Sequence, residues 1–305
     1  MLRKHVVPLA ALMAVGAVAL SACGTAGSAQ PAPQPERQQE QADTGSGGTG
    51  GLSLLTGTAR SNKADEKSGD LAPANAAQDV RSKWVQLRAT TAGDLDPVVV
   101  NGAGMTLYRF DPDTANPSRA TCDGDCAKTW PPVTIAKGGK VFVAGVKKSD
   151  VGVVKRDDGR LQVTVKGWPV YLFSKDTKPG DTLGQGVGGT WFGVTPDGQR
   201  AGTPQPTRPQ PTRPQPTQPT AKPATSVTLF TGKNFDDTSG DNFARGLAGK
   251  GCQNTDGDFL SLTVDGSLKV WSEPDCKGTA KVVTDDVADL TALGFPTGPK
   301  SVFFG

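Results

Sequence analysis

The chain has 305 residues, 33 Lys and Arg against 30 Asp and Glu, a formal net charge of +3 and a single histidine. Such a balance leaves no basic field for holding nucleic acid, and that class of partner is excluded. With 39 glycines, 24 prolines and only 35% hydrophobic residues, one large core is also excluded, and small β domains joined by unstructured segments are expected.

Residues 1–22 read as a secretory signal. Arg3 and Lys4 open it, an apolar run from Val6 to Leu20 follows, and small residues precede Cys23. The run is about 15 residues, short of the roughly 20 needed to span a bilayer. Leu20-Ser21-Ala22-Cys23 is similar to the lipobox of bacterial lipoproteins. That resemblance implies a diacylglyceryl thioether (palmitate-type acylation) on Cys23, cleavage before it and a lipid anchor in the cell membrane, on its extracellular or wall side. Two or more acyl chains make such an anchor stable. The alternative is an ordinary secretory signal that happens to contain a cysteine.

His5 is the only histidine and lies inside the signal. The rest of the chain therefore has no Ser-His-Asp or Cys-His arrangement, no His-ligated zinc and no C-x-x-C-H haem site. No catalytic residue is assigned, and the protein reads as a non-enzyme. With Cys23 given to lipid, Cys122 with Cys126 and Cys252 with Cys276 read as two disulfides, one per domain, in an oxidising compartment. Ile135 is the only isoleucine, which fits an actinobacterial coding bias.

Residues 23–83 are rich in Gly, Ser, Ala, Gln and Asp and read as a disordered tether. At roughly 5–6 Å × √n it would reach on the order of 40–45 Å. From residue 84 short apolar runs alternate with turn signals: Val98–Val100, Thr106–Phe110, Val141–Val143 and Leu161–Val165 read as strands. Lys137-Gly-Gly139 and Asp157-Asp-Gly159 read as hairpin turns. Residues 84–203 form the first β domain on this reading. Residues 204–225 are a Pro-rich linker, extended at about 3.1 Å per residue, that holds a second domain further out. Residues 226–305 form that second domain, with a hairpin expected at Asp265-Gly266 between Leu260–Val264 and Ser267–Trp271. The fold class is all-β.

Gly104-Met-Thr-Leu-Tyr108-Arg-Phe110-Asp-Pro-Asp113 returns as Gly167-Trp-Pro-Val-Tyr171-Leu-Phe173-Ser-Lys-Asp176, and Trp130 and Trp191 follow the two copies. These are the only two tyrosines in the chain. This repeat, with Cys122-Asp-Gly-Asp-Cys126, resembles the predicted bacterial lipoproteins that carry a Tyr-x-aromatic-x-x-Asp motif, a secreted repeat of unknown function. In a strand, Tyr108 and Phe110 share a face, as do Tyr171 and Phe173. The rings with Trp130 and Trp191 are expected in the core, and Asp113 and Asp176 at strand ends, accepting backbone N–H groups of the following turn. The alternative places the two carboxylates in a cleft facing a metal or a wall glycan.

Val227–Phe230 with Asn234-Phe235, and Lys269–Trp271 with Cys276-Lys-Gly278, look like two related motifs. They are similar to βγ-crystallin-type Greek-key domains. Microbial members of that family often bind calcium; here Asp258 and Ser261 keep only the second acid and one serine of the ligand stretch, so weak or absent binding is expected for calcium, the one cofactor considered. The protein is expected to act as a non-enzymatic binding or structural module of the cell envelope, its partners being the membrane and a cell-wall polymer or surface protein. The alternatives are an extracytoplasmic redox or metal-handling protein using Cys122/Cys126, and a calcium-binding or protease-inhibitory Greek-key module.

Overall fold

The structure, a computed structural model, describes residues 51–202 and 222–305. The signal segment, Cys23 and most of the Pro-rich linker lie outside the described residues. Twelve strands build the first domain among those described: β1 (Ser53–Thr56), β2 (Trp84–Ala92), β3 (Leu95–Val100), β4 (Tyr108–Phe110), β5 (Thr114–Ala115), β6 (Ser118–Arg119), β7 (Thr134–Ile135), β8 (Lys140–Ala144), β9 (Val151–Lys155), β10 (Leu161–Val165), β11 (Trp168–Pro169) and β12 (Trp191–Gly193). One sheet runs β1-β8-β2-β3, with β8 parallel to both of its neighbours. A second sheet centres on β10, which pairs with β9, β7 and β11. Val85, Leu87, Val141, Val143, Val163 and Val165 pack between them in one buried cluster. The unbroken Val-Phe-Val of β8 fits a strand covered on both faces. The only α-helices described are single turns, Gln78–Arg81 and Asp125–Thr129, so the fold is all-β.

The tether reading of residues 23–83 fails from residue 51 onward. Ser53–Thr56 adds to the sheet as an edge strand, residue for residue along Lys140–Val143. The turns that follow supply partners to buried polar groups of β2. The Ala59 N–H donates to Gln86 Oε1 at 2.7 Å, and the Trp84 indole N–H reaches the Asp65 carbonyl and Ser68 Oγ, each at 3.2 Å. Composition alone does not reveal such a segment, because its ladder is lent by β8 and its apolar contacts are few, Leu52 and Leu54 against the main core and Leu55 and Ala59 beside Trp84 and Phe142.

Asp157-Asp-Gly159 closes the β9–β10 hairpin as the sequence suggests. Lys137-Gly-Gly139 does not close one: β7 pairs with β10, whereas β8 is already flanked by β1 and β2.

Seven strands build the second domain: β13 (Ser226–Phe230), β14 (Ala244–Ala248), β15 (Gly251–Asn254), β16 (Ser261–Val264), β17 (Leu268–Glu273), β18 (Lys277–Val283) and β19 (Ser301–Phe304). They form a sheet β14-β13-β16 and a sheet β15-β19-β17-β18. The two halves exchange strands. β15, from the first half, edges the second sheet, and Val287, from the second half, bridges to Leu262 of the first. Between the sheets lie Phe259, Leu262, Leu268, Val270, Phe295 and Phe304. Asp265-Gly266 therefore turns the chain from one sheet to the other and is not a hairpin. The entering segment occupies the place a partner strand would take: Ala224 N–H donates to the Ser267 carbonyl at 2.8 Å, and the Asp265 carboxylate accepts Thr225 N–H at 3.0 Å.

The two domains are docked within one compact unit, contrary to the expectation that the second stands further out. Ala89 and Ala144 of the first domain pack against Phe230 and Phe235 of the second. Thr58 Oγ1 donates to Asp237 Oδ2 at 2.5 Å, Arg88 to the Asn234 carbonyl at 3.1 Å, and the Gly145 N–H to Asp286 Oδ2 at 2.9 Å. Gly145 has φ +73°, and a Cβ there would stand 2.4 Å from Phe235 and 2.7 Å from Ala89. Only glycine lets the backbones approach this closely.

Candidate functional site

The repeat motifs meet on a local two-fold axis. Tyr108 and Tyr171 exchange backbone hydrogen bonds, N–H to carbonyl at 2.8 and 2.9 Å, as a hydrogen-bonded antiparallel pair does. Each tyrosine then crosses to the other repeat. The Tyr108 hydroxyl donates to Asp176 Oδ2 and the Tyr171 hydroxyl to Asp113 Oδ2, both at 2.7 Å. The aromatic rings cross in the same way. Trp130, which follows the first copy, stacks on Phe173 of the second at 4.2 Å, and Trp191 stacks on Phe110 at 4.1 Å. On the axis Trp130 and Trp191 lie face to face, 3.8 Å apart and 2° from parallel.

Both carboxylates are buried, and their remaining oxygens are taken by local turns. Asp113 Oδ1 accepts the Thr121 N–H at 2.7 Å and hydroxyl at 2.8 Å; Asp176 Oδ1 accepts the Leu183 N–H at 3.0 Å. Burial pushes both carboxyls above the ordinary carboxylate range, and the tyrosine hydroxyls oppose that shift without cancelling it. Burial first, then the adjoining Asp carboxylates, push both tyrosines up as well. The phenols stay protonated donors. Asp113 and Asp176 thus face the opposite tyrosine and their own turns rather than a shared cleft. The turn contacts are those the motif suggests; the crossing of repeats is not visible in it.

Cys122 and Cys126 are bonded to each other, with Cα atoms 5.3 Å apart, and pack against the aromatic cluster. Arg156, itself buried, clamps this loop: one Nη donates to the Cys122 carbonyl at 2.6 Å and to Asp123, the other to Gln162 Oε1 at 2.5 Å. Sequence reasoning did not find Arg156, because a lone arginine among surface-type residues carries no pattern. Cys252 and Cys276 form the second bond and tie β15 to the corner after β17.

Asp258 and Ser261 are not brought to a common point. Ser261 is buried; its hydroxyl donates to the Gly232 carbonyl at 2.6 Å and accepts the Phe235 N–H at 3.0 Å. Ser301 repeats this in the second half, donating to the Glu273 carbonyl at 2.6 Å and accepting the Cys276 N–H at 2.9 Å. Both serines hold corners whose residues have positive φ, Asn234 and Phe235 in one and Asp275 and Cys276 in the other. The Asp258 carboxylate is held instead by the Lys300 ammonium at 2.5 Å. Among the described residues, no three His, Cys, Asp or Glu side chains converge as a metal site.

A protein family described as a secreted repeat of unknown function matches residues 89–134 and again residues 152–195, so two segments of the chain are similar to that repeat. No curated protein matches the chain. Among solved structures, the solution structure of the fifth crystallin domain of the non-lens protein Absent in melanoma 1 is similar. It covers 28% of this chain and 91% of that one, at 21% identity and a TM-score of 0.22.

Proposed function

We propose that the protein is an exported lipoprotein, anchored in the cell membrane through Cys23, that serves without catalysis as a binding or structural module of the cell envelope. The observation that carries this reading is the crossed Tyr–Asp pairing. The side chains of the repeat motif best able to do acid–base chemistry are engaged in joining one repeat to the other. Closed disulfides and the secreted character of the matched family support an oxidising, extracytoplasmic setting. The lipid anchor is supported by Leu20-Ser21-Ala22-Cys23. Palmitate labelling with membrane fractionation tests it: the wild type takes up label and sediments with membranes, and Cys23→Ala does neither. Equal sedimentation of an unlabelled Cys23→Ala protein would overturn the anchor.

A further inference from the structure

A cavity of about 330 Å³ opens in the first domain between the Gly69–Leu71 turn, the Asn101 corner and the Pro131–Thr134 segment. Two polar side chains in its wall are only half used. Asp70 Oδ2 accepts the N–H groups of Gln86 at 2.7 Å and Gly102 at 2.8 Å, while Oδ1 has no partner among the described residues. Asn101 is only 4% exposed. Its Oδ1 accepts the N–H groups of Ala103 at 3.0 Å and Met105 at 2.9 Å, which fixes the orientation of the amide. The Asn101 Nδ2 is then left with two protons and no acceptor among the described residues. Neither this amide nor Asp70 Oδ1 is among the enclosed polar atoms that lack a partner, so both open to the cavity, where a solute can meet them in place of water.

Asp70 and Asn101 both line the cavity, and Asp70 bonds the N–H of the residue next to Asn101, so a spare acceptor and a spare donor share one wall. Such a pair suits adjacent hydroxyl groups, each of which donates and accepts. Two exposed guanidiniums, Arg81 and Arg160, stand at the same cavity; Arg160 is paired with the Asp158 carboxylate, and Arg81 is bonded only to a neutral amide. Arg81 is bonded to Gln78 and Arg160 to Asp158, so both are oriented and both keep donors to spare. Pro131 and Leu172 supply apolar wall. The volume suits one or two sugar rings rather than a folded partner.

We infer that this cavity binds an acidic saccharide, with vicinal hydroxyls on Asp70 Oδ1 and Asn101 Nδ2 and the sugar carboxylate toward Arg81 and Arg160. The inference rests on the envelope-module reading and gives that module a ligand class. Its failure would leave the anchoring test at Cys23 standing, since the two use separate readouts.

The test is calorimetric titration of the full mature chain, with Cys23→Ser for solubility and both disulfides closed. Glucuronic acid and N-acetylmuramic acid are the acidic probes; glucose and N-acetylglucosamine are the neutral ones. Acidic sugars should bind at least about tenfold more tightly than neutral ones, and Arg81→Gln with Arg160→Gln should abolish that preference. Asp70→Asn keeps an oxygen for Gln86 and Gly102 but puts a donor where the acceptor was, and should weaken all sugar binding about tenfold or more. The arginine variants alter exposed side chains only, so they decide the matter even if Asp70→Asn misfolds. No binding by the wild type, equal binding of acidic and neutral sugars, or an arginine double variant that keeps the preference would overturn the inference.

Discussion

Removing one hydroxyl from the crossed Tyr–Asp pairs should show which repeat each tyrosine serves. Tyr171→Phe leaves Asp113 Oδ2 buried without its 2.7 Å donor, while Oδ1 keeps Thr121. A hydrogen bond to a charged group contributes about 1.5–3 kcal/mol, and the stranded oxygen places the cost toward the upper end. Tyr108→Phe should cost somewhat more. Its hydroxyl also accepts the Gly184 N–H at 3.2 Å, so a second buried group loses its partner. Urea denaturation of the soluble Cys23→Ser chain gives these values, and double-mutant cycles with Asp113→Asn and Asp176→Asn apportion them. The crossed pairs Tyr171–Asp113 and Tyr108–Asp176 should couple by about 1.5–3 kcal/mol. The pairs within a repeat, Tyr108–Asp113 and Tyr171–Asp176, should couple by less than about 0.5 kcal/mol. Coupling concentrated within each repeat would refute the crossed arrangement.

Gly145→Ala should force the two domains apart at their closest approach, given a Cβ at 2.4 Å from Phe235. One melting transition should become two; an unchanged single transition would contradict the docking. Stability should also fall as pH rises from 5 to 8. Burial raises Asp286 to about 6 and Asp70 to about 7, against an ordinary value of 3.8. A folded pKa above the unfolded one means stability is full below 3.8 and is lost as pH climbs through 6 and 7, by a few kcal/mol at most. No histidine follows His5 to mask the effect, and a melting temperature that rises across this window would contradict the assignment. The disulfides should differ in weight. Cys252–Cys276 closes 24 residues and should contribute about 3 kcal/mol, whereas Cys122–Cys126 closes 4 and should contribute nearer 2 kcal/mol, as Cys→Ser pairs would show on denaturation.

The sequence carried the repeat openly because Tyr108 and Tyr171 are unique and share spacing to an aromatic and an aspartate. It also carried the placement of Phe110 and Phe173 with Trp130 and Trp191 in one core, since period-two alternation sets each phenylalanine on the face of its tyrosine and a small Gly-rich domain must bury its tryptophans. It could not carry the crossing. Spacing within a motif says which atoms an aspartate can reach locally, and nothing about which hydroxyl arrives from 58 or 68 residues away. Ser53–Thr56 was illegible for a related reason: its pairing partner β8 lies some eighty residues downstream and parallel, with no turn to mark it. Docking of the second domain rests on single residues, Asp237, Asp286 and Gly145, with no periodicity to announce them. Asp70 and Asn101 were missed likewise, because what marks them is a spare oxygen and a spare amide seen only in three dimensions.

The most direct test of a structural rather than reactive role for the repeat domain is a thiol count on the protein taken from intact cells. Alkylation before and after reduction, read by mass spectrometry on the Cys122–Cys126 peptide, should show no label until reductant is added, as befits a bond packed against Trp130 and covered by Arg156. Label taken up without reduction, or after mild reductant that spares Cys252–Cys276, would contradict the scaffold and make that pair a redox or metal-handling site.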